Sequence, residues 1–364
     1  MSACDDCLRR TALVALLASH VERARRDHRH IRELLALSDE RLLAALAGDR
    51  RAELERVHDR FDPDTARARL DAGGMDAVCR HDADYPPRLL QAPDAPAVLH
   101  VAGDRARLAA LAGHDVPAVA VVGARRAGYD GLEVARGLGR GLAAAGVTVV
   151  SGMALGVDSA AHTGALEVGG PTLCVLASGA DVPYPPSKRS LHLELVRTQA
   201  VVSEMPPGFT PFKWCFPARN RTIAGLASLT IVVEAAERSG SLITAELAQE
   251  LGRAVGAVPG SVLAPRTAGS NSLLRDGALV IRHAQDALDE VLGIGVATAL
   301  AGRDPGALSA PLRALLERVE DGRDTVSALA ATPADAQRVL ASLAELELLG
   351  YLRRGPGGCY VRIV

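Results

Sequence analysis

Residues 213–226 read KWCFPARNRTIAGL. Lys213, Arg219 and Arg221 are cations within nine positions of one another, and Trp214 and Phe216 are aromatics between them. No Asp or Glu occurs from Met205 to Val233. Lys and Arg neutralise phosphates, and an aromatic ring stacks on an unpaired base for about 1–3 kcal/mol. Asn220 has three uses: a helix cap, a bond to a neighbouring loop, or a base contact. The same residues also admit a plainer arrangement, with Trp214 and Phe216 packing the loop and the arginines facing water. A second cationic motif, VVGARRAGYDG, places Arg125 and Arg126 just after Gly123, with no acid between Asp115 and Asp130 to pair with them. A glycine turn between strand and helix aims backbone N–H groups at an anion, and a forked guanidinium binds phosphate through two donors.

Three further segments contribute small-residue turns. SGMALGVDSAAHTGAL carries Ser151, Gly152 and Gly156, followed by Asp158 and His162, which are four apart on one helix face and set for a local hydrogen bond. ERSGSLITAE carries Ser239, Gly240 and Ser241 at a helix start. VPGS and AGSNSLLRDGA follow, with Asn271 in the latter, and residues 251–275 hold Arg253, Arg266 and Arg275 without any acid. The pattern excludes several chemistries. A dinucleotide fingerprint needs glycine two residues after Gly123, where this chain has Arg125, and an acid ending the second strand, where it has SGMALG. No nucleophile accompanies Asp158 and His162 as in a Ser-His-Asp site. These turns describe a rim for a polyanion, not a pocket with a catalytic dyad.

A chain of 364 residues, 48% hydrophobic, is long enough for two or three domains with a sizeable core. Aromatics make up only 3%, so that core is built of Leu, Val and Ala. The net charge of −2 rules out nucleic-acid binding through bulk charge and leaves a local patch as the route. Arginine is the default cation: Lys188 and Lys213 are the two lysines. The six cysteines, at 4, 7, 79, 174, 215 and 359, show no disulfide framework, and this spacing reads as a reduced, cytoplasmic chain. Cys4 and Cys7 form a lone CxxC with no second pair and no histidine at finger spacing, so a frayed terminus with two free thiols is expected there, and no metal. No signal peptide or membrane-spanning run is expected.

Positioning these motifs falls to an α/β architecture. Residues 1–80 show helical spacing of Leu, Val and Ala. Residues 81–115 are rich in proline and read as a connector with a short strand in AVLHV. Residues 116–292 alternate continuous apolar strands with helices, the signature of a doubly wound, mostly parallel sheet. Residues 293–307 read as a Gly- and Ala-rich linker. Residues 308–364 read as three helices and a hairpin across GPGG, a winged-helix pattern.

Taken in this order, VVGARRAGYDG, SGMALGVDSAAHTGAL, FPARNRTIAGL, IVVEAAERSGSLITAELAQELGR and AVPGS…GSNSLLRDGA resemble the DprA/Smf family, DNA-processing protein A of bacteria. The resemblance covers residues 100–290, with YPPRLLQAPDAPAVLHVAGD leading in. It implies a Rossmann-like core that binds single-stranded DNA, forms homodimers, displaces single-strand-binding protein and loads RecA during natural transformation. It implies a sterile-alpha-motif-like N-terminal domain, and a C-terminal winged helix present in only some members. Matched by position, Arg125, Lys213, Phe216 and Arg219-Asn220-Arg221 are DNA-binding residues, and neither metal nor nucleotide is required. The expected interface comprises Gly123, Arg125, Arg126, Ser151, Gly152, Lys213, Phe216, Arg219, Asn220, Arg221, Ser239, Gly240 and Asn271. The chain is read as a binding protein without catalytic residues. Two other functions compete: a nucleotide phosphoribohydrolase on the same type of fold, whose GGxGTxxE run is missing here, and a duplex-DNA regulator acting through residues 308–364.

Overall fold

A computed structural model describes residues 3–294, 308–330, 332–349, 351–354 and 358–362. The expected linker lies mostly outside the described residues, as does most of the GPGG turn. The chain divides into two compact units, Met1–Ala297 and Thr298–Val364.

The first unit opens with six helices: α1 (Asp5–Leu16), α2 (Ala18–Ala24), α3 (His28–Ala36), α4 (Asp39–Leu46), α5 (Arg51–Asp59) and α6 (Pro63–Ala72). Their starts are set locally. Asp27, Ser38 and Asp62 accept from backbone N–H groups of the first turns of α3, α4 and α6, and Pro63 occupies a position where no N–H is needed. The chain then enters the sheet with β1 (Met75–Cys79), α7 (Pro87–Leu90), β2 (Val98–Gly103) and α8 (Arg105–Ala112). The strand in AVLHV is therefore present as β2, but the segment read as a connector does more than connect. It pairs β2 with β1 and extends the sheet, because the apolar residues of both strands cover what would otherwise be an open edge.

From here strands and helices alternate: β3 (Ala118–Val122), α9 (Tyr129–Ala144), β4 (Thr148–Ser151), α10 (Val157–Glu167), β5 (Thr172–Leu176), α11 (Arg189–Thr198), β6 (Ala200–Ser203), α12 (Cys215–Leu226), β7 (Leu229–Val232), α13 (Gly240–Glu250), β8 (Ala254–Ala257), α14 (Ala268–Arg275), β9 (Leu279–Val280) and α15 (Ala284–Leu292). The nine strands run in the order β1-β2-β6-β5-β4-β3-β7-β8-β9. β1, β2 and β6 pair antiparallel and all other neighbours pair parallel. The alternating residues of β3 explain its unbroken apolar sequence. Ala118, Ala120 and Val122 pack on one face with residues of α12 and α13, and Val119 and Val121 on the other with residues of α9 and α10. The chain winds from β3 through β4 and β5 to β6, then crosses back to place β7 on the other side of β3. That reversal opens a crevice at the carboxyl ends of β3 and β7.

The second unit holds α16 (Ala310–Glu320), α17 (Val326–Leu329), α18 (Pro333–Leu348) and the antiparallel pair β10 (Leu352–Arg354) and β11 (Tyr360–Arg362), around a core that includes Leu312, Leu316, Leu343, Leu346 and Tyr360.

His162 on α10 is fully buried, and its Nδ1 lies 2.7 Å from Thr172 Oγ1 on β5. Asp158, the partner that helical spacing suggested, faces the Gly152 and Ala154 N–H groups instead. Burial pushes the imidazole down from 6.5 to about 4. The neutral ring is thus the native form, and the unfolded chain binds a proton more readily. Stability is complete above the unfolded value and falls as pH drops through this window. Urea titrations should show wild type losing up to about 3 kcal/mol more than His162→Gln between pH 7 and pH 4. Parallel pH profiles for the two proteins would show that His162 is not the group responsible.

Candidate nucleic-acid interface

At the crevice, Phe216 stands half-exposed on the first turn of α12. The Arg125 guanidinium carbon lies 5.0 Å from the centre of its ring, and the Tyr184 ring lies 5.4 Å away, tilted by 52°. A cation over an aromatic face is held by the ring quadrupole, so Arg125 is positioned without a carboxylate neutralising it. A cleft of about 300 Å³ runs between Phe216, Asn220 and the start of α13, floored by Gly123 and Arg219. A smaller one of about 160 Å³ lies on the other side of Phe216, against Tyr184 and Leu155. Ser239 caps α13, its hydroxyl accepting from Ser241 N–H, and Gly240 beside it is exposed with no heavy atom near its missing side chain. The α13 N-terminus therefore borders the cleft with its positive dipole end. Arg126 and Lys213 are exposed, and neither has a salt-bridge partner among the described residues.

Four residues expected to contact a ligand here are committed to contacts within the protein instead. Arg219 is buried, and its Nη1 donates to the carbonyls of Gly152, at 2.8 Å, and Val175, at 2.5 Å. Carbonyls at strand ends need donors, and this guanidinium supplies them from beneath the cleft. Burial lowers its pKa and raises that of Asp158, while each of the two opposes the other's shift. The arrangement explains Gly152, where a Cβ would sit 1.8 Å from Arg219 Nη1. Arg221 is also buried. It donates to Asp94 O at 2.5 Å and pairs with Glu204, whose side chain is only 10% exposed. Helix geometry accounts for this: at about 100° per residue, five positions carry Arg221 roughly 140° around α12 from Phe216. Ser151 is buried in β4, with its hydroxyl donating to Val121 O at 2.7 Å. Both ends of the Asn271 amide are spent on Gly260, accepting from its N–H and donating to its carbonyl.

Asn220 lines the cleft while Nδ2 donates to Gly240 O at 3.2 Å, joining α12 to the start of α13. The rim arginines are largely engaged: Arg253 with Gln91, Arg266 with Glu234 at 3.2 Å, and Arg275 with Asp276. Trp214 is fully buried, its Nε1 donating to Ala18 O at 2.9 Å and its backbone N–H to Glu22 at 3.0 Å. It is the anchor of the loop, and Phe216 is the ring left for a ligand. The sequence reading passed over Tyr184. Its only signal was an aromatic among the prolines that follow a parallel strand, which is a loop at the ligand-binding edge.

The family model described as DNA recombination-mediator protein A matches residues 76–292, which contain every element of this crevice. The chain belongs to that family. Protein Smf of Escherichia coli K12 is 36% identical over 289 residues, spanning 77% of this chain and 75% of its own length. DNA processing protein A from Streptococcus pneumoniae superposes with a TM-score of 0.60 at 34% identity, covering 78% of this chain and 93% of that one. Its counterpart from Helicobacter pylori, whose structure was reported for its mode of binding single-stranded DNA, gives 0.53 at 29% identity over 60% of this chain and 95% of that one.

The buried and exposed cations differ in what their loss costs. Arg221→Ala strands Glu204 without its partner and should destabilise the fold by about 3–5 kcal/mol. Arg126→Ala should stay within about 0.5 kcal/mol of wild type. Chemical denaturation of the two variants checks this, and equal midpoints would contradict the assignment of Arg221 as a structural group.

Proposed function

We propose that the crevice binds single-stranded DNA, with Phe216 stacking on a base while Arg125, Arg126 and Lys213 neutralise successive phosphates. The observation that carries this reading is the half-exposed Phe216 ring, held between Arg125 and Tyr184 at the mouth of the cleft. The backbone N–H groups at the start of α13 add donors for a phosphate. Membership of a recombination-mediator family and the subject of the Helicobacter pylori structure support the same substrate. The role is binding, not bond-breaking: the one carboxylate lining the larger cleft, Asp158, is buried and accepts two backbone N–H groups. The finer reading follows the family resemblance. The chain acts as a cytoplasmic homodimer, displaces single-strand-binding protein and loads RecA onto incoming DNA in natural transformation. Among the described residues, no helix is long and apolar enough to cross a membrane.

Salt-titrated binding to single- and double-stranded oligonucleotides tests the site. Affinity for the single strand should exceed that for the duplex and fall linearly with the logarithm of salt. Lys213→Ala should flatten that slope by about 0.7, the value of one single-strand phosphate contact. Phe216→Ala should weaken binding by about 1–3 kcal/mol and leave the slope alone. Wild-type affinity in both variants would remove the site.

A further inference from the structure

From Ala3 onward the chain packs against the sheet, contrary to the frayed end expected from the sequence. Ala3, Cys7 and Leu8 are buried against Met75, Ala77 and Cys79 of β1. This packing brings together two sequence-distant pairs. Cys4 is the N-cap of α1 and Cys7 lies three residues on, so both thiols share one face of its first turn. Cys79 ends β1, and His81 sits two residues on, inside the turn that follows the strand. The turn that carries them is pinned: Asp82 accepts the Cys79 N–H at 2.8 Å through its carboxylate and returns its own N–H to Cys79 O at 2.8 Å. Cys4 Sγ lies 3.3 Å and Cys7 Sγ 3.5 Å from His81 Nδ1, and all four ligand atoms fall within 4.8 Å of one another.

We propose that Cys4, Cys7, Cys79 and His81 form a structural site for a single zinc ion. Zinc bonds of about 2.3 Å to sulfur and 2.0 Å to nitrogen, arranged tetrahedrally, put sulfur roughly 3.6 Å from nitrogen and sulfurs roughly 3.8 Å apart. The two sulfur–nitrogen distances, 3.3 and 3.5 Å, lie close to that value, and a separation of 4.8 Å needs about 1 Å of contraction. Three cysteines and a histidine are a soft donor set that suits zinc over the hard, oxygen-seeking cations. Four protein ligands close the coordination shell and leave no open position, which makes the role structural. A cleft of about 480 Å³ bordered by Cys7, Arg80 and His81 provides the way in. The ion ties α1 to the edge of the sheet across more than seventy residues of chain. The helical layer it fastens includes Ala18 and Glu22, the two residues that hold Trp214 behind the cleft.

The test uses the full chain, purified under reducing conditions without chelator. Elemental analysis should find about one zinc per chain. Replacement by Co²⁺ should give the strong visible bands of tetrahedral coordination, together with thiolate-to-cobalt charge transfer. His81→Ala, an exposed position, should lower zinc occupancy at least tenfold and abolish the cobalt spectrum, and Cys4→Ser should do the same. Chelation should lower the melting temperature of wild type and leave His81→Ala unmoved. Reconstituted wild type that holds no zinc after desalting overturns the proposal. So does metal retained equally by both variants, or a Cys4–Cys7 disulfide seen in the intact mass of the reduced preparation.

Discussion

Burying a guanidinium is costly unless acceptors meet its charge, and that cost sorts the cations of this chain into two sets. Arg219 and Arg221 sit in one motif, two residues apart, yet both are turned inward and spent on carbonyls or a carboxylate. Arg219 bridges the β4–α10 loop and the end of β5, so the floor of the cleft is itself held by a positive charge. Arg125, Arg126 and Lys213 carry no such obligation. Their charges remain for a ligand, in a protein whose overall charge is nearly balanced.

The position of the crevice follows from topology. The reversal of winding direction between β3 and β7 separates the loops that leave these strands, and the starts of α9 and α13 flank the gap. Glu234, buried at the end of β7, accepts the Gly128 N–H at 2.9 Å and so ties the loop that carries Arg125 to the opposite strand. The aromatic platform has a separate support. Trp214 reaches into the helical layer, while Phe216, two residues on, faces the cleft. The N-terminal helices therefore serve the site without lining its mouth.

The sheet was legible because parallel strands buried on both faces must be apolar throughout. VVG, VVSG and IVVEA announce themselves for that reason, as do the small-residue turns at their ends. The residue types around the cleft were legible too: a ring, cations and a helix start rich in Gly and Ser. The antiparallel strand β1 was not. Five residues at the end of a helical segment carry too little pattern to be told from a helix terminus, and only pairing with β2 makes them a strand.

Residue type and spacing by themselves determined the fold class, the family resemblance and the presence of a cationic, aromatic motif. Tertiary structure decided which members of that motif face solvent. Arg219, Arg221 and Trp214 differ from Arg125, Lys213 and Phe216 in their surroundings, not in their chemistry, and burial depends on partners such as Glu204, Val175 and Ala18 that lie far away in the chain. The same holds for Cys4 and Cys7. Their neighbours Cys79 and His81 arrive only when β1 joins the sheet, because bringing distant residues together requires a long-range contact that no local window of sequence contains.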